Sequence, residues 1–133
     1  GGGYILNVAS SAGLMPAGPY MATYYATKSY VASLTQAVAE ELREEGSRVY
    51  VGCLCPGPVD TEFNSVANVE FALKGISAGY CAAYALERMA KRQVMIIPTR
   101  LMQAAMLGGR FLPRSLYVKI AARQQKKKLY GGL

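Results

Sequence analysis

Apolar residues fall along this chain in runs separated by glycine, proline and serine, and the period within each run predicts an element. Tyr4-Ile5-Leu6-Asn7-Val8-Ala9 is a short run rich in strand formers, closed by Ser10-Ser11-Ala12-Gly13, and it predicts a strand opening into a loop. Pro16, Gly18 and Pro19 carry that loop on to Thr23. From Tyr24 to about Glu45 the period changes. Val31, Leu34, Val38 and Leu42 recur at helical spacing among Gln36, Glu40, Glu41, Arg43 and Glu44, which predicts a long amphipathic helix stopped at Gly46. Arg48 to Cys55 is nearly continuous apolar sequence halted by Pro56-Gly57-Pro58. A run without alternation suits a strand covered on both faces, as in a parallel sheet between helices.

Downstream, Asp60 to Ala78 is weakly periodic and predicts a loop with a short helix. A helix follows from Ser77 to about Lys91, then a brief buried strand over Val94-Met95-Ile96-Ile97 before Pro98. Leu101 to Leu107 and Ser115 to Lys127 predict two C-terminal helices. Strand, helix, strand, helix, strand is the order of α/β units with right-handed crossovers.

Composition narrows the class. With 133 residues, 52% of them hydrophobic and 17% charged, the chain suits one globular domain with a buried core. Aperiodic glycine and only 3 cysteines disfavour collagen-like and disulfide-framework classes. Pro98, Arg100 and Arg110 interrupt the apolar C-terminal stretch too early for a membrane span. The sequence starts at Gly1 and runs directly into an apolar stretch, so the expectation is a piece of a longer polypeptide.

Charge divides the chain. Residues 1–66 carry three bases against six acids, residues 67–133 twelve bases against Glu70 and Glu87, so the net +7 belongs to the C-terminal half. Histidine is absent, which removes imidazole from proton transfer and metal ligation; no metal site is expected, and acid/base chemistry falls to Tyr, Lys, Cys or carboxylates. Cys53, Cys55 and Cys81 lack Cys-x-x-Cys spacing and read as buried reduced thiols, for which a reducing cytoplasmic setting is the default.

One pair stands out against this background. Tyr24 is the only tyrosine with a lysine four residues later, Lys28. On a helix that spacing puts both side chains on one face, and an ammonium near a phenol favours the phenolate, bringing it closer to use as a general acid/base. Ser10 and Ser11 end the preceding strand, and Pro56-Gly57-Pro58-Val59-Asp60-Thr61 ends the next. Ligands of open α/β sheets bind outside such strand ends, so these groups are expected around one cleft.

Ser11, then Tyr24-x-x-x-Lys28 thirteen residues on, a long helix, and a strand closing with Pro56-Gly57-x-Val59-x-Thr61 together resemble the catalytic half of the short-chain dehydrogenase/reductase family, over residues 3 to about 98. The resemblance implies the C-terminal part of a doubly wound, mainly parallel Rossmann-type α/β sheet, with residues 1–98 as a catalytic half and 99–133 as a basic helical extension. It further implies an oxidoreductase that interconverts a small-molecule carbonyl and a secondary alcohol with NAD or NADP. Tyr24 would transfer the proton, Lys28 would bind the nicotinamide ribose and lower the Tyr24 pKa, and Ser11 would hold the substrate oxygen. Pro56, Gly57, Val59 and Thr61 would line the nicotinamide end of the cofactor, with Thr61 also suited to capping the segment after it. The thirteen-residue spacing selects Ser11 over Ser10. Tyr20, Tyr25 and Tyr30 read as packing or loop residues, with Met15 and Tyr20 beside a substrate pocket.

No G-x-G-x-x-G occurs in this chain, so the proton-transfer groups stand without the cofactor's main cradle, and the isolated chain is expected to be inactive. The resemblance also implies a homo-oligomer packed through the helix Tyr24–Glu45. Beyond Pro98 the resemblance fades. The cluster Arg100, Arg110, Arg114, Lys119, Arg123 and Lys126-Lys127-Lys128 admits solvated helix faces, weak contact with an anionic membrane, or nucleic acid. A membrane-surface module on an inactive dehydrogenase scaffold is the alternative function; without tryptophan or an evident stacking platform, no nucleic-acid partner is expected.

Overall fold

A computed structural model describes residues 1–62 and 74–130. Strand β1 (Gly3–Val8) leads into a 3-10 turn, Ser11–Leu14, and then helix α1 (Ala22–Glu44). Strand β2 (Val49–Leu54) is followed by two short strands, β3 (Val59–Asp60) and β4 (Ile76–Ser77). Helix α2 (Ala78–Ala90), strand β5 (Met95–Ile96) and helices α3 (Arg100–Gly109) and α4 (Arg114–Tyr130) complete the order.

The continuous apolar run from Arg48 becomes the central strand of a parallel sheet ordered β1-β2-β5. Gly3 pairs with Val49 and Val8 with Leu54, so both strands end at the same edge. Alternate residues of β2 face opposite layers. Cys53, with Cys55 just past the strand end, packs with Ala9 and with Ala32 of α1; Leu54 packs with Ile96 and with Cys81 and Ala85 of α2. The central strand is therefore covered on both sides, as its lack of alternation predicts.

That arrangement corrects one expectation. Both crossovers, β1-α1-β2 and β2-α2-β5, step in the same direction across the sheet, yet α1 and α2 lie on opposite faces. Two such connections have opposite hands, so they are not both right-handed. The expected loop between Asp60 and Ala78 also begins and ends in strand: Val59 pairs with Ile76 and Asp60 with Ser77. The short helix expected there falls mostly outside the described residues.

Local chemistry explains the helix limits. α1 stops in a Schellman arrangement, with Gly46 at φ 67° and the amides of Gly46 and Ser47 bonded to the carbonyls of Arg43 and Leu42. Ser77 caps α2 by accepting from the Tyr80 amide at 3.2 Å, and Thr99 caps α3 by accepting from Met102 at 3.3 Å. Inside the sheet layer, Asn7 Nδ2 donates to Thr35 Oγ1 at 2.9 Å while that hydroxyl donates to the Val31 carbonyl at 2.7 Å. Asn7 thus fastens β1 to α1. No described helix is long and apolar enough to cross a membrane.

Candidate active site

The carboxyl ends of β1 and β2 carry the two loops singled out by sequence, and the backbone ties them together. The Ala9 amide donates to the Leu54 carbonyl at 2.8 Å, extending the ladder one residue, and the Ser11 amide donates to the Pro56 carbonyl at 2.8 Å. Ser10 is extended and its Oγ accepts from the Ala12 amide at 3.1 Å, capping the 3-10 turn. Its side chain is committed to that cap, whereas Ser11 is buried as the first residue of the turn.

This turn lies directly against α1. A Cβ on Gly13 would stand 2.5 Å from the Lys28 carbonyl oxygen, so only glycine lets the turn approach so closely. Tyr24 and Lys28 lie one helical turn apart in α1, the ammonium 5.8 Å from the Tyr24 ring centroid. Lys28 Nζ also reaches the Val8 carbonyl, the last of β1, at 3.4 Å. The structure therefore brings Tyr24, Lys28, the Ser11 turn and the Pro56 loop to one edge of the sheet. Gly57 faces Met102 of α3: a Cβ there would meet the methionine's terminal methyl carbon at 2.7 Å. Val59 turns its side chain into the apolar cluster of Leu54 and Ile96. Thr61 is exposed after β3.

Several residues that matter at this edge carry no chemical motif. The Tyr25 ring lies flat on Gly18, where a Cβ would come within 2.2 Å of Cδ2, and meets the Tyr24 ring edge-on at 6.2 Å and 70°. Its hydroxyl accepts from Gln125 Nε2 of α4 at 2.8 Å. Burial pushes the Tyr25 phenol above its usual value, against the pull of that hydrogen bond. Tyr20 holds a left-handed φ of 69° and sets its ring against Tyr130 at 6.5 Å. Gly13 and Gly18 offered a signal, as small residues in a loop flanking α1; Gln125 offered none.

Cys53 and Cys55 are fully buried beside this edge with sulfurs 3.7 Å apart. The hydrogen bond with Cys53, together with burial, keeps the Cys55 thiol protonated well above the ordinary thiol range. Among the described residues no cluster of cysteine and carboxylate groups could hold a metal ion. A separate cleft of about 620 Å³, lined by Tyr80, Tyr84, Arg88, Thr99, Arg100 and Gln103 among others, contains none of the catalytic or cofactor-binding residues expected from the sequence.

A parallel sheet with helices on both faces, with side chains gathered at its strand ends, is a Rossmann-type α/β frame. The family described as short chain dehydrogenase matches residues 1–70, and the chain belongs to that family. A short-chain type dehydrogenase/reductase of Picea abies is 39% identical over 74 residues, 56% of this chain and 26% of the relative. Among solved structures, a short-chain dehydrogenase from Sphingobium yanoikuyae in complex with NADPH is 28% identical with a TM-score of 0.63, over 80% of this chain and 42% of that one. A short-chain dehydrogenase/reductase from Burkholderia phymatum in complex with NAD is 26% identical with a TM-score of 0.66, over 78% and 45%. The chain thus spans about a quarter of the curated relative and less than half of either solved structure.

Proposed function

We propose that this chain supplies the proton-transfer half of a NAD- or NADP-dependent oxidoreductase that interconverts a small-molecule carbonyl and a secondary alcohol. The observation that carries the reading is the Tyr24 and Lys28 pair standing at the strand ends beside the Ser11 turn. In the reducing direction Ser11 Oγ donates a hydrogen bond to the carbonyl oxygen, and the Tyr24 hydroxyl delivers its proton to that oxygen as negative charge develops there. The Lys28 ammonium stabilises the charge left on the Tyr24 oxygen. In the oxidising direction Tyr24 takes the proton back.

The residues at this edge fit a dinucleotide. Lys28 has three N–H donors and spends one, at 3.4 Å, on the Val8 carbonyl, leaving donors for ribose hydroxyls. Pro56 and Gly57, held to Ser11 by the backbone, offer a wall for the nicotinamide, with Thr61 beyond it and Val59 contributing main chain. A bound nicotinamide would supply or accept the hydride. The pyrophosphate needs amides that this chain does not provide in a G-x-G-x-x-G turn, so the isolated chain is inactive in this reading and the full-length polypeptide is the enzyme. The outward face of α1, where Tyr30 is 68% and Leu34 46% exposed, supports assembly with a second copy.

The test is nicotinamide absorbance in the full-length polypeptide, with NADH and NADPH and a panel of cyclic, aromatic and aliphatic ketones. Ser11→Ala should lower kcat about 100-fold or more through loss of one donor to the developing oxyanion. Wild-type turnover in that variant would overturn the role of Ser11.

A further inference from the structure

Helix α4 lies outside the matched family segment, yet it holds the reactive end of α1. The first turn of α1 has no side-chain cap of its own. Met21 stands at its N-cap position without a capping side chain, and no acid occupies the first turn to meet the helix dipole. Tyr24 is the third residue of the helix, inside this uncapped turn. Part of what holds the turn comes from far away in sequence. Gln125 is only 5% exposed, and its Nε2 bonds the Tyr25 hydroxyl across a separation of 100 residues. Tyr25 is thereby held at three points: its hydroxyl by Gln125, its flat face by Gly18, and its ring by an edge-to-face contact with Tyr24. Five residues on, Tyr130 meets Tyr20, which precedes α1 in a backbone conformation few non-glycine residues adopt. One helix therefore grips both the approach to α1 and its first turns.

We propose that Gln125 is a positioning residue for Tyr24, acting through Tyr25, and that helix α4 is thereby a working part of the active site. This rests on the reading of Tyr24 as the proton-transfer group. Without the hydrogen bond the Tyr25 ring tilts on Gly18, the Tyr24 ring packed on its edge loses its wall, and the phenol samples positions displaced from the carbonyl oxygen. Displacements of that kind reduce the rate of the chemical step while leaving the cofactor contacts of Lys28 and the Pro56 loop in place.

The experiment uses the full-length polypeptide and two variants that keep side-chain volume while removing the bond, Gln125→Met and Tyr25→Phe. Each should lower kcat about 10- to 100-fold, with KM for the nicotinamide dinucleotide within about twofold of wild type. The double variant should be no worse than either single one, because the two residues share one interaction. Wild-type kcat in both folded variants, or losses that multiply in the double variant, would overturn the proposal. Where Gln125→Met fails to fold, Tyr25→Phe alone carries the test. Hydrogen exchange of the wild type and the folded variant gives a reading that needs no substrate. Faster exchange confined to residues 20–28, with 38–44 unchanged, supports the clamp; identical exchange overturns it. Tyr24→Phe is measured in parallel: an active Tyr24→Phe enzyme defeats the reading of Tyr24, whereas an inactive one beside normal Gln125→Met and Tyr25→Phe enzymes defeats only the clamp.

Discussion

Lys28 reaches back over the sheet edge to Val8, its ammonium nitrogen 3.4 Å from the carbonyl that ends β1. The contact is long and exposed, so it adds well under about 1 kcal/mol to stability. The same ammonium stands over the Tyr24 ring, where the proposed chemistry needs positive charge. Stability and function therefore separate at this residue. In the full-length polypeptide, Lys28→Met should melt close to wild type yet lose about 10- to 100-fold or more in kcat/KM. Paired calorimetry and nicotinamide kinetics check this; normal kinetics would remove Lys28 from the site.

Gly13 gives the opposite pattern, since a methyl group there collides with the backbone of Lys28 at 2.5 Å. Backbone cannot rotate aside as a side-chain end can, so the turn bearing Ser11 must move off α1. Gly13→Ala should cost about 1–3 kcal/mol in urea unfolding and reduce turnover as well. Wild-type stability in this variant would show that the turn and the helix stand further apart than described.

Cys55 sets an alkaline limit. Its contact with Cys53 and its burial hold the folded thiol above the unfolded value of 9.0, the same contact pulls Cys53 down to about 7, and burial raises Tyr25 above 10.0. Between about pH 7 and 9 the folded pair has given up the Cys53 proton that the unfolded chain still holds, and stability rises with pH; above pH 9 the folded state keeps the Cys55 proton that the unfolded chain releases. The associated stability is present in full below the unfolded thiol value and declines as pH rises past it, by up to about 1.4 kcal/mol per pH unit for each proton retained. Urea midpoints should fall above about pH 9, and Cys55→Ala should flatten that fall. A decline equally steep in Cys55→Ala would remove this thiol as the cause.

Much of this architecture was legible because it depends on local period. The unbroken run ending at Cys55 announces a strand buried on both faces, and Gly46 announces the end of α1. The proximity of Tyr24 and Lys28 was legible because a spacing of four on a helix is itself a spatial statement. Relations made by the closed fold were not. The Gly13 approach exists only once the turn meets α1, the bond from Gln125 to Tyr25 spans 100 residues, and the face chosen by α2 depends on which side of β2 the residues Cys81 and Ala85 find Leu54 and Ile96. Two-residue strands such as β3 and β4 are too short to carry any period.

The central claim is that the Tyr24 hydroxyl moves the proton. Tyr24→Phe removes that hydroxyl and keeps the ring that packs on Tyr25 and faces Lys28. The measurement is kcat of Tyr24→Phe in the full-length polypeptide, with whichever ketone the wild-type enzyme turns over and with melting temperature recorded alongside. The account predicts a fall of about 10²- to 10⁴-fold at unchanged melting temperature, the usual worth of a positioned general acid. An unchanged kcat would contradict it.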